Sequence, residues 1–71
     1  MKNLLVASVQ PNEGNKGKRV RLVLRKDADR YVWYEENGLV DTQVSGGTIA
    51  EAKRAAIASW DSHWWNFRLA R

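Results

Sequence analysis

Ser45-Gly-Gly-Thr-Ile-Ala-Glu-Ala-Lys-Arg-Ala-Ala-Ile-Ala-Ser-Trp-Asp-Ser-His-Trp-Trp-Asn-Phe67 is the stretch whose reading decides the fold. It reads as one long amphipathic helix over about 48–67, preceded by a flexible Gly46-Gly47 corner. Thr48 stands at the N-cap, and Glu51 three residues on can complete a capping box. At about 100° per residue, Ile49, Ala52, Ala56, Trp60, Trp64 and Phe67 fall within about 60° of one line. That stripe begins with small side chains and ends with large ones. It needs an apolar sheet face to cover.

The opposite side of this helix would carry Arg54, Ala55, Ala58, Asp61, Ser62, Trp65 and Leu69, which is small and weakly charged for a solvent face. Trp65 would lie about 160° from the core line, so one helix cannot bury both Trp64 and Trp65. Two readings stand side by side. In one, the helix stops near His63 and Trp65 turns inward over the end of the sheet. In the other, Ala58, Ser62, Trp65 and Leu69 form a protein interface, either a homodimer contact or the seat of a dedicated partner.

Upstream, the chain reads as strands. Residues 3–9 form a short apolar run of strand length, and Gln10 to Gly17 is rich in turn formers. Residues 18–26 alternate, with Val20, Leu22 and Leu24 on one side and Arg19, Arg21, Val23 and Arg25 on the other. Asp27-Ala28-Asp29 makes a turn, 30–36 is a strand rich in aromatic and β-branched residues, and Asn37-Gly38 gives a two-residue hairpin loop into a strand over 39–45.

That loop fixes a register. It pairs Glu36 with Leu39, Glu35 with Val40, Trp33 with Thr42 and Tyr31 with Val44. Trp33, Val40 and Val44 then share the core side with Leu22 and Leu24, provided the 27–29 turn has an even number of loop residues. An odd loop would put the arginines of 18–26 under the helix, where burying them unpaired is costly. Trp33, Leu22, Leu24, Val40 and Val44 are therefore expected to be buried beneath Trp60 and Trp64. The expected fold is α+β: an antiparallel sheet of three or four strands with one C-terminal helix packed on one face, in a single domain spanning 1–71.

Composition bounds the function. Seventy-one residues support a small core without a single cysteine, so four tryptophans, two tyrosines and a phenylalanine must supply much of the buried area. No apolar run reaches the length of a membrane span and no signal-peptide pattern opens the chain, so a cytoplasmic protein is expected. The formal charge is +4, concentrated in Lys16, Lys18, Arg19, Arg21, Arg25 and Lys26, with no acid between Gly14 and Lys26. Such a patch attracts phosphate backbones or an acidic partner; it is equally the composition of a solvated face.

Catalytic constellations are nearly absent. His63, the one histidine, sits beside tryptophans as a packing residue, and Glu35 and Glu36 are consecutive, hence on opposite strand faces. Ser45-Gly46-Gly47-Thr48 lacks the lysine and spacing of a phosphate loop. Neither an enzyme nor a bound cofactor or metal is expected.

Arg30-Tyr-Val-Trp-Tyr, Asn37-Gly38, then Gly47-Thr48-Ile-Ala-Glu-Ala-Lys-Arg-Ala, in the order strand, turn, strand, helix, resembles small sheet-plus-helix DNA-binding modules. These include the arm-binding domains of phage and transposon integrases and the plant ethylene-response-factor domain. The resemblance spans residues 18–62 and implies a three-stranded sheet set in the DNA major groove. By position, Lys18, Arg19, Arg21, Arg25, Tyr34 and Gln43 would contact nucleic acid, with Asp41 and Glu36 on the same face. The Ser45-Gly-Gly-Thr-Ile-Ala-Glu-Ala corner also resembles HicB-like antitoxins, which implies toxin binding and dimerisation. The expected function is a small basic module binding DNA or RNA through the open sheet face. The alternative is a protein-interaction module built around Trp65.

Overall fold

The computed structural model describes residues 3–11, 19–37, 40–61 and 65–70. Five strands and one helix follow in the order β1 (Leu5–Pro11), β2 (Val20–Asp27), β3 (Arg30–Glu35), β4 (Val40–Gly46), α1 (Ile49–Trp60) and β5 (Trp65–Ala70). The strands form one sheet in the order β4-β3-β2-β1-β5, each neighbouring pair antiparallel. The α+β class and the helix on one face match expectation. The strand number and the position of the helix do not.

The expected C-terminal helix stops at Trp60, and the remainder returns to the sheet. Trp65–Ala70 pairs with β1 on the edge away from β4, with Val9 opposite Phe67 and Ser8 opposite Arg68. The physical reason is visible in Trp65-Asn-Phe-Arg-Leu-Ala70, where apolar and polar residues alternate with the period of a strand. Asp61 at the C-cap opposes the helix dipole, and the last turn carries no basic residue to favour continuation. Trp65 and Leu69 consequently lie in a strand and Ala58 on the helix, so these three do not form a single helical stripe. Ser62, His63 and Trp64, also assigned to that helix, lie outside the described residues.

The helix start is as read. Thr48 Oγ1 accepts from the Glu51 N–H at 3.1 Å, and Glu51 reaches back to the Gly47 N–H at 3.0 Å. Ala52 and Ala56 are fully buried against the sheet. Ile49, placed on the same line, is 39% exposed, because α1 begins at the sheet margin. The small side chains let the helix approach closely. A Cβ on Gly46 would stand 2.7 Å from the Glu51 carbonyl carbon and also collide with the Ala52 nitrogen, so glycine is required there.

Trp33 anchors the core. It is fully buried, and its Nε1–H donates to the Ala52 carbonyl at 2.9 Å. Its ring meets Trp60 and Phe67 edge-on, at centroid distances of 6.3 and 5.7 Å, while Trp60 and Phe67 stack on each other. Leu22, Leu24, Ala7 and Val9 complete this layer, with Val44 packed against it. The β2–β3 loop is Ala28-Asp29, two residues, since Asp27 pairs with Arg30. The even count puts Leu22 and Leu24 with Trp33.

The β3–β4 register departs from expectation partway along. Glu35 pairs with Val40 as read, but Val32 pairs with Ser45 and Tyr31 with Gly46, so three residues of β4 oppose Trp33 alone. The bulge turns on Gln43, whose φ of 65° lies in the left-handed region. Thr42 Oγ1 takes up the slack by donating to the Trp33 carbonyl at 2.8 Å. Val40, expected beneath the helix, is 54% exposed: α1 does not extend over that end of the sheet. The Glu36–Leu39 pair and Gly38 lie partly outside the described residues.

Candidate nucleic-acid interface

The sheet face away from α1 collects every second residue of each strand, and register orders them into transverse rows. One row runs Arg68, Ser8, Arg21 across β5, β1 and β2, and continues to Glu36, whose N–H donates to the Arg21 carbonyl at 2.9 Å. The row beside it runs Ala70, Val6, Val23, Tyr34, Asp41. Beyond that lie Arg25, Val32 and Ser45, then Asp27 opposite Arg30. On the other side, Asn66 opposes Gln10, one residue past the last β1–β2 pair of Val9 with Val20.

This face is not a bare sheet. Val23 and Val32, pointing away from the helix, are only 0% and 7% exposed. Polar side chains on this face are bonded to one another. The Tyr34 hydroxyl donates to Asp27 Oδ2 at 3.0 Å, Arg25 Nε donates to Asn3 Oδ1 at 2.9 Å, and Arg30 donates to Ser45 Oγ. The hydrogen bond to Asp27, together with partial burial and the nearby carboxylates, raises the Tyr34 phenol above its ordinary pKa. Arg21 Nε stands 3.3 Å from Glu36 Oε1 in an ion pair that is open to solvent.

The charges divide the face. Toward β5, Arg68 and the Glu36-paired Arg21 stand with the neutral hydrogen-bonding residues Ser8, Gln10 and Asn66, and exposed Arg19 immediately precedes β2. Toward β4, the carboxylates of Asp27, Asp29 and Asp41 line a groove of about 430 Å³ together with Arg30, Gln43 and Ser45. Of the residues singled out from sequence, Arg21, Arg25 and Tyr34 are therefore on one face, while Arg19 is exposed just before β2 begins. Gln43 is held at the bulge among acids, its N–H donating to Asp41 Oδ1 at 2.6 Å. Lys18 lies outside the described residues. Sequence reasoning missed Arg68, because a helical reading of 48–67 left no strand to carry it; the alternation of 65–70 is the signal that finds it.

The helix side holds a different feature. Past the end of α1, Val9, Val20, Leu22, Val40, Val44, Trp60 and Trp65 line an apolar groove of about 500 Å³, with Glu35 and Thr42 at its polar margin. Trp65 and Leu69 are 39% and 41% exposed on this side. Among the described residues no group of His, Asp or Glu is arranged to hold a metal ion, and no helix is long and apolar enough to cross a membrane. Comparison with protein-family models, characterised proteins and solved structures finds no match to this chain.

Proposed function

We propose that the protein binds nucleic acid through the basic half of its open sheet face, using Arg19, Arg21 and Arg68 as phosphate contacts. The observation that carries this reading is the Arg68–Ser8–Arg21 row, two arginines separated by one neutral strand position. Adjacent strands lie about 4.8 Å apart, so the two side chains rise from points roughly 10 Å apart. Gln10, Ser8 and Asn66 around them can donate to phosphate or sugar oxygens, while the carboxylates toward β4 repel the backbone and give the site a direction.

The mode follows from dimensions. Five strands span about 19 Å, whereas the major groove of B-form DNA is about 12 Å wide. The face is too broad to enter the groove flat, unlike the three-stranded modules that the sequence resembles. Tyr34, the aromatic residue of this face, is tied to Asp27. Binding is accordingly to the backbone, with little base readout and strong dependence on salt.

Titrations with mixed single-stranded and duplex DNA and RNA, at several salt concentrations, test the reading. The double variant Arg21→Gln/Arg68→Gln should bind more weakly and lower the logarithmic salt slope by about two. The matched variant Arg25→Gln should matter less, since Arg25 is half-buried and bonded to Asn3. An unchanged slope in the double variant, or no binding to any pool at low salt, refutes the proposal.

A further inference from the structure

The two edges of the sheet are built differently. β4 is blunted by its bulge, by Gln43 in the left-handed region and by the carboxylate of Asp41. β5 is not. Among the described residues, positive φ outside glycine is confined to Ala28 and Gln43, and no further strand follows β5 in the sheet. Asn66–Ala70 has no proline, a single charge in Arg68, and an exposed Leu69. Such a regular edge is a template for another strand.

We propose that the occupant is β5 of a second copy of this chain, paired antiparallel about a two-fold axis perpendicular to the sheet. The result is one continuous ten-stranded sheet with both helices on the same side. Symmetry and charge select the register. Directly opposed residues share a face, so only residues of matching inward or outward direction can oppose each other. Centring the pair on Arg68 sets two guanidinium groups against each other. Centring it on Asn66 sets Trp65 against Phe67 and carries Arg68 past the N-terminal end of the second copy's β5. Centring it on Phe67 sets Arg68 against the carboxamide of Asn66 and Leu69 against Trp65, matching charge with a polar neutral group and apolar with apolar. The Phe67-centred register is the one the side chains fit.

Part of the consequence rests on the proposed nucleic-acid reading. The basic half of the open face adjoins β5, so pairing fuses two such halves. Arg21, with its Glu36 partner, and Arg68 of both copies then occupy the centre of one face, with the Asp27, Asp29 and Asp41 grooves toward its outer margins. The two Arg21 positions stand five strand spacings apart, about 24 Å. The edge itself is small: about 20 Å long and roughly 10 Å deep, far below the roughly 800 Å² per partner of a stable interface. The free pair is therefore weak and concentration-dependent, and a bound nucleic acid spanning both basic halves holds it together. Each copy carries a formal charge of +4, so salt strengthens self-association while it weakens nucleic-acid binding, which separates the two proposals experimentally.

The test needs no nucleic acid. The chain has no cysteine, so Asn66→Cys and Arg68→Cys can be introduced singly without background. In the Phe67-centred register, position 66 of one copy faces position 68 of the other with Cβ atoms about 4.5–5.5 Å apart, within small adjustment of a disulfide, while like positions lie on diagonals of about 7–8 Å. Under mild oxidation at high concentration and salt, a mixture of the two variants should give a covalent heterodimer several-fold in excess of either homodimer. Both positions are on the surface face, and circular dichroism verifies that each variant folds. No excess of heterodimer overturns the register, and no covalent dimer in any of the three samples overturns the interface.

Discussion

Gly46→Ala should be strongly destabilising for a single-methyl change, and the size of the effect can be worked from the contact it creates. The added Cβ would lie 2.7 Å from the Glu51 carbonyl carbon and 2.8 Å from the Glu51 Cβ. Carbon atoms rest about 3.5–4.0 Å apart, so the overlap is roughly 1 Å. Its target is helix backbone, which cannot rotate aside, and α1 must withdraw by about that distance. Withdrawal stretches the 2.9 Å bond from Trp33 Nε1–H to the Ala52 carbonyl beyond hydrogen-bond range. A buried indole N–H left without a partner costs about 1–3 kcal/mol, and overpacking that is not relieved costs a similar amount. Since movement trades one cost for the other, about 3 kcal/mol is expected. For a domain of this size that lowers Tm by about 12–24 °C. Gly47→Ala is the matched control. Its Cβ would touch only Glu51 Oε1 at 3.0 Å, the movable tip of a side chain, and should change stability by less than about 1 kcal/mol. Thermal unfolding followed by circular dichroism and tryptophan fluorescence measures both. A Gly46→Ala protein melting within about 4 °C of the parent, or a Gly47→Ala protein equally damaged, would refute the helix–sheet contact on which the fold rests.

Glu36→Gln removes the carboxylate 3.3 Å from Arg21; releasing an exposed pair worth about 0.2–1 kcal/mol should tighten nucleic-acid binding by about 1.4–5-fold with little change in Tm. Weaker binding in that variant, measured by the same salt titration, would mean that Glu36 orients Arg21 rather than competing for it. Tyr34 should ionise above the ordinary phenol pKa of 10.0, read by ultraviolet difference absorbance, and Asp27→Asn should bring it down toward that value. Because the folded-state pKa is the higher one, the associated stability is present below the unfolded value and lost as pH rises through the folded one. A protein whose Tyr34 titration ignores Asp27→Asn would place the hydroxyl elsewhere.

The parts of the fold legible in the sequence were those where one period dominated. Val20 to Arg25 alternates without competition, and the observed faces follow from it once the Ala28-Asp29 loop has its even count. Thr48 and Glu51 cap the helix because that chemistry is local. Reading failed where two periods overlapped. Phe67 fits a helical line through Ala56, Trp60 and Trp64, and it fits equally the alternation with Trp65 and Leu69. What separates the two is tertiary: the open edge of β1 offers Phe67 a strand partner in Val9 and an aromatic pocket between Trp33 and Trp60. The bulge in β4 was hidden for a similar reason. Asp41-Thr-Gln-Val44 carries no glycine at the left-handed position, and the extra residues become visible only once Gly46 is drawn against the helix.

The candidate site inherits that ambiguity, because β5 belongs to both faces of the sheet at once. Inward, Phe67 stacks on Trp60 and meets Trp33 edge-on, which recruits the segment to the sheet. Outward, the same recruitment sets Arg68 level with Ser8 and Arg21, and so turns a strand with isolated arginines into a row. The alternation thus divides the labour: Phe67 holds the strand in place and Arg68 faces the solvent. Charge on β2 alone is indifferent between a solvated face and a binding one. The addition of Arg68 on a second strand, with Asp27, Asp29 and Asp41 gathered around the groove toward β4, is what gives the face a polarity. Because β5 is also a regular sheet edge, the residues that complete the basic row are those through which a second copy would extend it.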